Sequence, residues 1–208
     1  MTVTKVLSLP VRAFSHFLLD GSYQKYYSAE IWDRKYAQEQ YALCAPMEDA
    51  RYGVLAALLR RYDRGGPILD AGCGDGLLEL RYRPLSDSHL VGVDYAPAAI
   101  ERARSLNLAN TEFHASDFSR LQVPGPFSVI VFNEALYYVE KYMEILRSLE
   151  GALKPDGLFL ISMFDTVVTA RIWKTLRQRY RPLQTAHVKD SESGQKWTIS
   201  AFPRPDAK

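Results

Sequence analysis

"ILDAGCGDGLLEL", residues 68–80, sets Gly72, Gly74 and Gly76 at alternate positions between two apolar runs. The first run ends in Asp70 and the second contains Glu79, with Cys73 inside the loop. The stretch predicts a strand, a tight turn and the start of a helix. Such a turn presents unpaired N–H groups and the positive end of the helix dipole. Glycines there let a ligand come close to the backbone. The dinucleotide fingerprint G-x-G-x-x-G would need glycine at position 77. That residue is Leu77, so the pattern is instead D-x-G-x-G-x-G.

Outward from this loop, short apolar runs alternate with helical ones. "PILDAG", "HLVGVDY", "TEFHASD", "FSVIVFN" and "LFLISMF" read as strands. "LLELRYRPL", "APAAIERARSL" and "VEKYMEILRSLEGAL" read as helices. "FSVIVFN" and "LFLISMF" are continuously apolar, as expected for strands buried on both faces. "KPDG" between helix and strand reads as a turn, with Gly157 available for positive φ. The alternation predicts a parallel sheet with helices on both sides. "LQTAHVKD" and "KWTISAF", joined through Gly194, predict an antiparallel edge hairpin.

Residues 1–63 read as a helical cap and residues 64–208 as an α/β core, together one domain. In the cap, "SAEIWDRKYAQEQYALCA" starts at Ser28 as N-cap and puts Trp32 and Tyr36 on one face. "MEDARYGVLAALLRRY" has Val54, Leu55, Leu58 and Leu59 as its apolar stripe. The first twenty residues carry Arg12 and His16 inside their apolar part and read as mature structure rather than a signal peptide. The net charge of +2 argues for neither a nucleic acid nor a membrane surface. Two cysteines, Cys44 and Cys73, form no disulfide framework and suit a reducing, cytoplasmic compartment.

Two acidic residues extend the loop into a site. Asp94 ends the second strand, where a carboxylate can accept both hydroxyls of a ribose. Asp117 follows the third strand and can accept from an exocyclic adenine amino group, with Phe118 against the ring.

With "FSVIVFNEALYYV" and "LRSLEGALKPDGLFLISMF", these stretches resemble the class I S-adenosylmethionine-dependent methyltransferase family over roughly residues 28–203. The resemblance implies a doubly wound, Rossmann-like sheet of seven strands, mostly parallel with an antiparallel last strand. It implies S-adenosylmethionine as cofactor and S-adenosylhomocysteine as product. Asp70 and the loop Gly72, Cys73, Gly74 and Gly76 would hold the methionine part. Asp94 and Tyr95 would lie at the ribose, and Ser116, Asp117 and Phe118 around the adenine. Asn133 would reach the amine or sulfonium region through its backbone. Tyr27, Trp32 and Tyr36 would cover the methionine end.

The implied chemistry is in-line methyl transfer to an O or N atom of a small molecule. Alignment and water exclusion supply much of the catalysis. A base is required only if the nucleophile must lose a proton. Glu134, Tyr137 and Tyr138, just past the fourth strand, are the candidates to face an acceptor. An aromatic content of 12% suits an aromatic or apolar secondary metabolite. "FNEA" lacks the Asn/Asp-Pro-Pro-aromatic run of enzymes that methylate exocyclic or amide nitrogens, which argues against DNA. No metal-ligand spacing occurs. "ARIWKTLRQRYRP", residues 170–182, is basic and amphipathic. It reads as a helix covering the sheet, and it keeps a carrier-protein, protein or RNA acceptor as the alternative. A protein that binds the cofactor without transferring methyl is a further alternative.

Overall fold

A computed structural model describes residues 28–38, 48–117 and 125–205. The first 27 residues, read above as mature structure, with His16 and Tyr27, lie outside that set, as do Cys44 and Phe118. Among the described residues no helix is long and apolar enough to cross a membrane.

The helices are α1 (Ala29–Ala37), α2 (Asp49–Tyr62), α3 (Leu77–Tyr82), α4 (Pro97–Ser105), α5 (Tyr142–Glu150) and α6 (Val167–Arg179). The strands are β1 (Ile68–Ala71), β2 (Leu90–Asp94), β3 (Thr111–Ala115), β4 (Phe127–Asn133), β5 (Leu153–Phe164), β6 (Gln184–Lys189) and β7 (Lys196–Pro203). They form one seven-stranded sheet in the order β3-β2-β1-β4-β5-β7-β6. β1 to β5 pair in parallel, and β7 is antiparallel to both β5 and β6. The expected hairpin is therefore present, turning at Gly194 with φ of 72°. Its second strand is inserted between β5 and the edge strand.

Side-chain alternation sorts the apolar residues into two layers. Ile130, Phe132, Phe159 and Ile161 pack with Leu146, Leu149, Trp173 and Leu176 from α5 and α6. Val129, Val131, Leu158 and Leu160 pack on the other face with Leu55, Leu59, Leu78 and Tyr82 from α2 and α3. A strand between two helical layers has no polar face, which is why β4 shows no alternation of apolar and polar residues from Val129 to Phe132.

Two expectations change. "KPDG" is not a turn but lies within β5, and Gly157 is not among the glycines of positive φ. Phe127 pairs with Leu153 and Val129 with Leu158, so two steps of β4 meet five of β5. A bulge absorbs the extra residues while the strand continues. The helix expected over 139–153 begins only at Tyr142, and a 3₁₀ turn, Leu136–Tyr138, precedes it.

The basic segment is α6, started by a reciprocal Thr166–Thr169 capping box. Ile172, Trp173, Leu176 and Tyr180 are buried against the sheet, while Arg171, Lys174 and Arg177 face outward. Arg179 forms a two-pronged pair with Glu150 at 2.8 and 2.6 Å.

Candidate functional site

The order of the parallel strands reverses between β1 and β4, and in such sheets ligands sit outside the carboxyl ends at that point. β1 ends there in the glycine loop. Gly72, Gly74 and Gly76 have φ of 89°, 56° and 80°, the left-handed region. At Gly74 a Cβ would stand 2.6 Å from the Tyr36 hydroxyl oxygen, so α1 comes down directly on the loop.

Asp94, 8% exposed at the end of β2, accepts the Gly74 N–H at 3.0 Å on Oδ2 and the Ala96 N–H at 2.9 Å on Oδ1. It thereby ties the loop to the start of α4. A carboxylate offers about four acceptor sites, so capacity for ligand hydroxyls remains. Burial pushes the Asp94 carboxyl up, against the pull of these N–H groups. Tyr95 is half-buried beside it, and Ser116 donates its N–H to the Asp94 carbonyl at 2.9 Å. Asp117 is exposed at the same sheet edge.

The aromatic residues form a roof over this edge. Trp32 and Tyr36 of α1 pack with Ala96, Ala99 and Tyr95. Asp33 accepts the Ala98 N–H at 2.8 Å, fastening α1 to the first turn of α4. Tyr138 meets Trp32 edge-on at 5.3 Å and Tyr137 at 4.5 Å. Tyr138, expected on the acceptor side, is thus in one cluster with Trp32 and Tyr36, which are expected at the methionine end.

Glu134 was expected at the mouth of the pocket. Its carboxylate is instead engaged by the protein: Ser162 Oγ–H at 2.9 Å, Phe164 N–H at 2.9 Å and Tyr137 Oη–H at 3.1 Å. The residue straps the tip of β4 to the end of β5, with φ of 56°. His89, His114 and His187 pair with Asn110, Glu112 and Thr198 respectively.

Asp70 is buried with its carboxyl facing Glu79 of α3. Apart from the Glu79 backbone N–H beside its own carboxyl, no other polar group of the described residues bonds either one. A cavity of about 10 Å³ adjoins them, lined by Leu59, Leu78, Tyr82 and Val131. That is about the space one water needs. Both Asp70 carboxyl oxygens are thus enclosed beside Glu79 and bond nothing in the loop. Burial, then the Glu79 and Asp94 charges, push the Asp70 carboxyl up; burial takes Glu79 from 4.5 to about 7. Because the folded value is raised, Glu79 contributes stability that is full below pH 4.5 and lost as pH rises to about 7. Glu79→Gln is expected to flatten that slope, leaving the part that belongs to Asp70, and to unfold at higher temperature than the parent above neutrality. Melting curves between about pH 5 and pH 8 check this. Parallel pH dependence in both proteins would place the proton elsewhere.

Arg51 and Glu79 were not singled out from the sequence. Both are charged residues set in apolar stripes, Arg51 four before Leu55 and Glu79 next to Leu78. That placement was the available signal.

A glycine loop after β1, an acid at the tip of β2 and this strand order define a doubly wound nucleotide-cofactor protein. Residues 62–201 match the family model "Methyltransferase domain". The chain belongs to that family, the class I S-adenosylmethionine-dependent methyltransferases, whose cofactor is S-adenosylmethionine. Malonyl-[acyl-carrier protein] O-methyltransferase of Bacillus cereus is 32% identical over 117 residues, 54% of this chain and 44% of that protein. The chain spans about half the length of the curated relatives it matches. N-methyltransferase NodS from Bradyrhizobium japonicum WM9, solved with S-adenosylhomocysteine, superposes with a TM-score of 0.71 at 20% identity, covering 90% of this chain and all of that one. The 1,6-didemethyltoxoflavin-N1-methyltransferase of Burkholderia thailandensis gives 0.69 at 19% identity, covering 86% and 87%.

Proposed function

We propose that this chain transfers the methyl group of S-adenosylmethionine to an O or N atom of a small acceptor. The observation that carries the reading is the coupling of loop and carboxylate: three glycines of positive φ, with Asp94 holding the Gly74 N–H. The cofactor supplies an activated methyl group on a sulfonium whose leaving group is a neutral thioether. The chain's own residues then bind and align. Gly72, Cys73, Gly74 and Gly76 offer backbone to the methionine part. Asp94, with Tyr95 alongside, accepts from the ribose. Ser116, Asp117 and Phe118 take the adenine, and the Asn133 backbone the amine or sulfonium region. Trp32 and Tyr36, with Tyr27, keep water from the reacting end.

The acceptor would enter between α1, the Leu136–Tyr138 turn and the segment after β5. Tyr137 and Tyr138 shape that entrance. Glu134 holds it in place and is not a free base, so the acceptor is one that needs alignment more than deprotonation. O- and N-methyltransferases both appear among the relatives. The Bacillus relative's name refers to an acyl-carrier protein, so an acceptor tethered to a carrier stays within this reading. A secondary-metabolite acceptor and a cytoplasmic location belong to the same proposal.

Calorimetric titration with S-adenosylhomocysteine, and with NAD as control, tests the cofactor assignment. The expected result is a Kd of about 1–100 μM for the first and no binding of NAD. NAD binding in place of S-adenosylhomocysteine would overturn it.

A further inference from the structure

Arg51 lies on the inward face of α2 and is 1% exposed. Its Nη1 donates to Asn133 Oδ1, and its Nη2 donates to Glu48 Oε2 at 2.9 Å. The guanidinium lies 4.4 Å from the Tyr52 ring centre and 5.8 Å from that of Trp197. Among the described residues its Nε has no acceptor. A buried cation with an unsatisfied N–H is poor economy for stability alone, since an apolar residue of similar shape often does as well. Its contacts explain it better. Asn133 and Glu134 are consecutive residues at the tip of β4, at the reversal point of the sheet; Arg51 bonds the first and is an opposite charge near the second.

Glu134 is held in the left-handed region, where a non-glycine residue is strained. It is tied to β5 by its N–H, which donates to the Ser162 carbonyl at 3.0 Å, and by its carboxylate, which collects Ser162, Phe164 and Tyr137. Burial pushes that carboxyl up, and Arg51 is the charge that opposes it. The other titratable groups facing this pair are Glu48 before α2, Tyr52 on α2 and Tyr137 on the 3₁₀ turn.

We propose that Arg51 is a positioning residue of this site. It pins the Asn133 side chain and balances the Glu134 charge, so that the β4 tip presents one fixed edge to cofactor and acceptor. The inference rests on the methyl-transfer reading of that edge. It adds a residue from the helical cap, 82 positions away from Asn133 in sequence, to the machinery of the sheet.

The test uses Arg51→Met, Arg51→Lys, Glu134→Gln and the Arg51→Met/Glu134→Gln double variant. Each is titrated with S-adenosylhomocysteine between about pH 6 and pH 8.5, with melting curves at the same values. Arg51→Met should weaken binding about tenfold at the alkaline end and recover as pH falls, because a proton on Glu134 relieves the unbalanced charge. The double variant should return to within about threefold of the parent and lose the pH dependence. Lysine should rescue only in part, keeping the charge but not the fork. A pH-independent loss that Glu134→Gln does not relieve would show lost packing and overturn the proposal, as would unchanged binding in Arg51→Met. If the parent itself binds no S-adenosylhomocysteine, the methyl-transfer reading fails. The melting series then decides separately whether Arg51 and Glu134 are coupled: rescue of the melting temperature by the double variant supports it, and additive losses refute it.

Discussion

Asp94→Ala is expected to lower the affinity for S-adenosylhomocysteine by about a hundredfold or more, by removing two things at once. The first is the acceptor for the Gly74 and Ala96 N–H groups, at 3.0 and 2.9 Å. Both would be left at a buried position, and an orphaned buried donor costs about 1–3 kcal/mol. The second is the anionic acceptor proposed for the ribose hydroxyls, and bonds to a charged group are about twice as strong as neutral ones. The melting temperature should fall together with the affinity. Asp94→Asn separates the two contributions, because it keeps one acceptor oxygen but turns an NH₂ toward an N–H or a hydroxyl. Asparagine should therefore fall between parent and alanine in both measurements. An alanine variant that melts lower yet binds as the parent does would remove Asp94 from the cofactor site and leave it only a structural tie.

Gly74→Ala is expected to have an effect of comparable size through sterics. With φ of 56°, an L side chain is strained there by about 1–2 kcal/mol before any contact is considered. A Cβ would also stand 2.6 Å from the Tyr36 hydroxyl oxygen, far inside van der Waals contact. Tyr36 is 8% exposed and packs with Trp32, so it has little freedom to retreat. Either the loop or α1 must shift, and both are parts of the proposed cofactor site. Affinity for S-adenosylhomocysteine should drop about tenfold or more, since a displacement of about 1 Å is enough to spoil such alignment. Adding Tyr36→Phe removes the clashing oxygen and should recover part of the loss. What remains measures the backbone strain. No recovery would mean that the left-handed φ, not the contact with α1, is why glycine stands at this position.

The parts of this molecule that depend on local pattern were legible in the sequence alone. Doubly buried strands announce themselves as continuous apolar runs, and helices as a 3.6-residue stripe, because these periods come from the backbone itself. The glycine loop and Asp94 were readable for a related reason, since positive φ and a carboxylate at a strand tip are short-range requirements. "KPDG" misled because its turn chemistry is real but lies inside a longer ladder. Only the pairing with β4 shows β5 bulging rather than stopping there.

The tertiary structure alone decided which partner each buried charge found. Asp70 and Glu79 meet because α3 folds back beneath β1. Tyr138 joins Trp32 because α1 packs on α4 at the same sheet edge. Glu134, a plausible acid or base by position, is held by Ser162 and Phe164 from a neighbouring strand. Arg51 reaches Asn133 across 82 residues of sequence. A residue's period marks it as inward-facing, but whether a buried charge is a tool or a brace depends on what stands within hydrogen-bond reach. That distance is set by the closure of the whole sheet and its helices, not by the neighbouring residues in the chain.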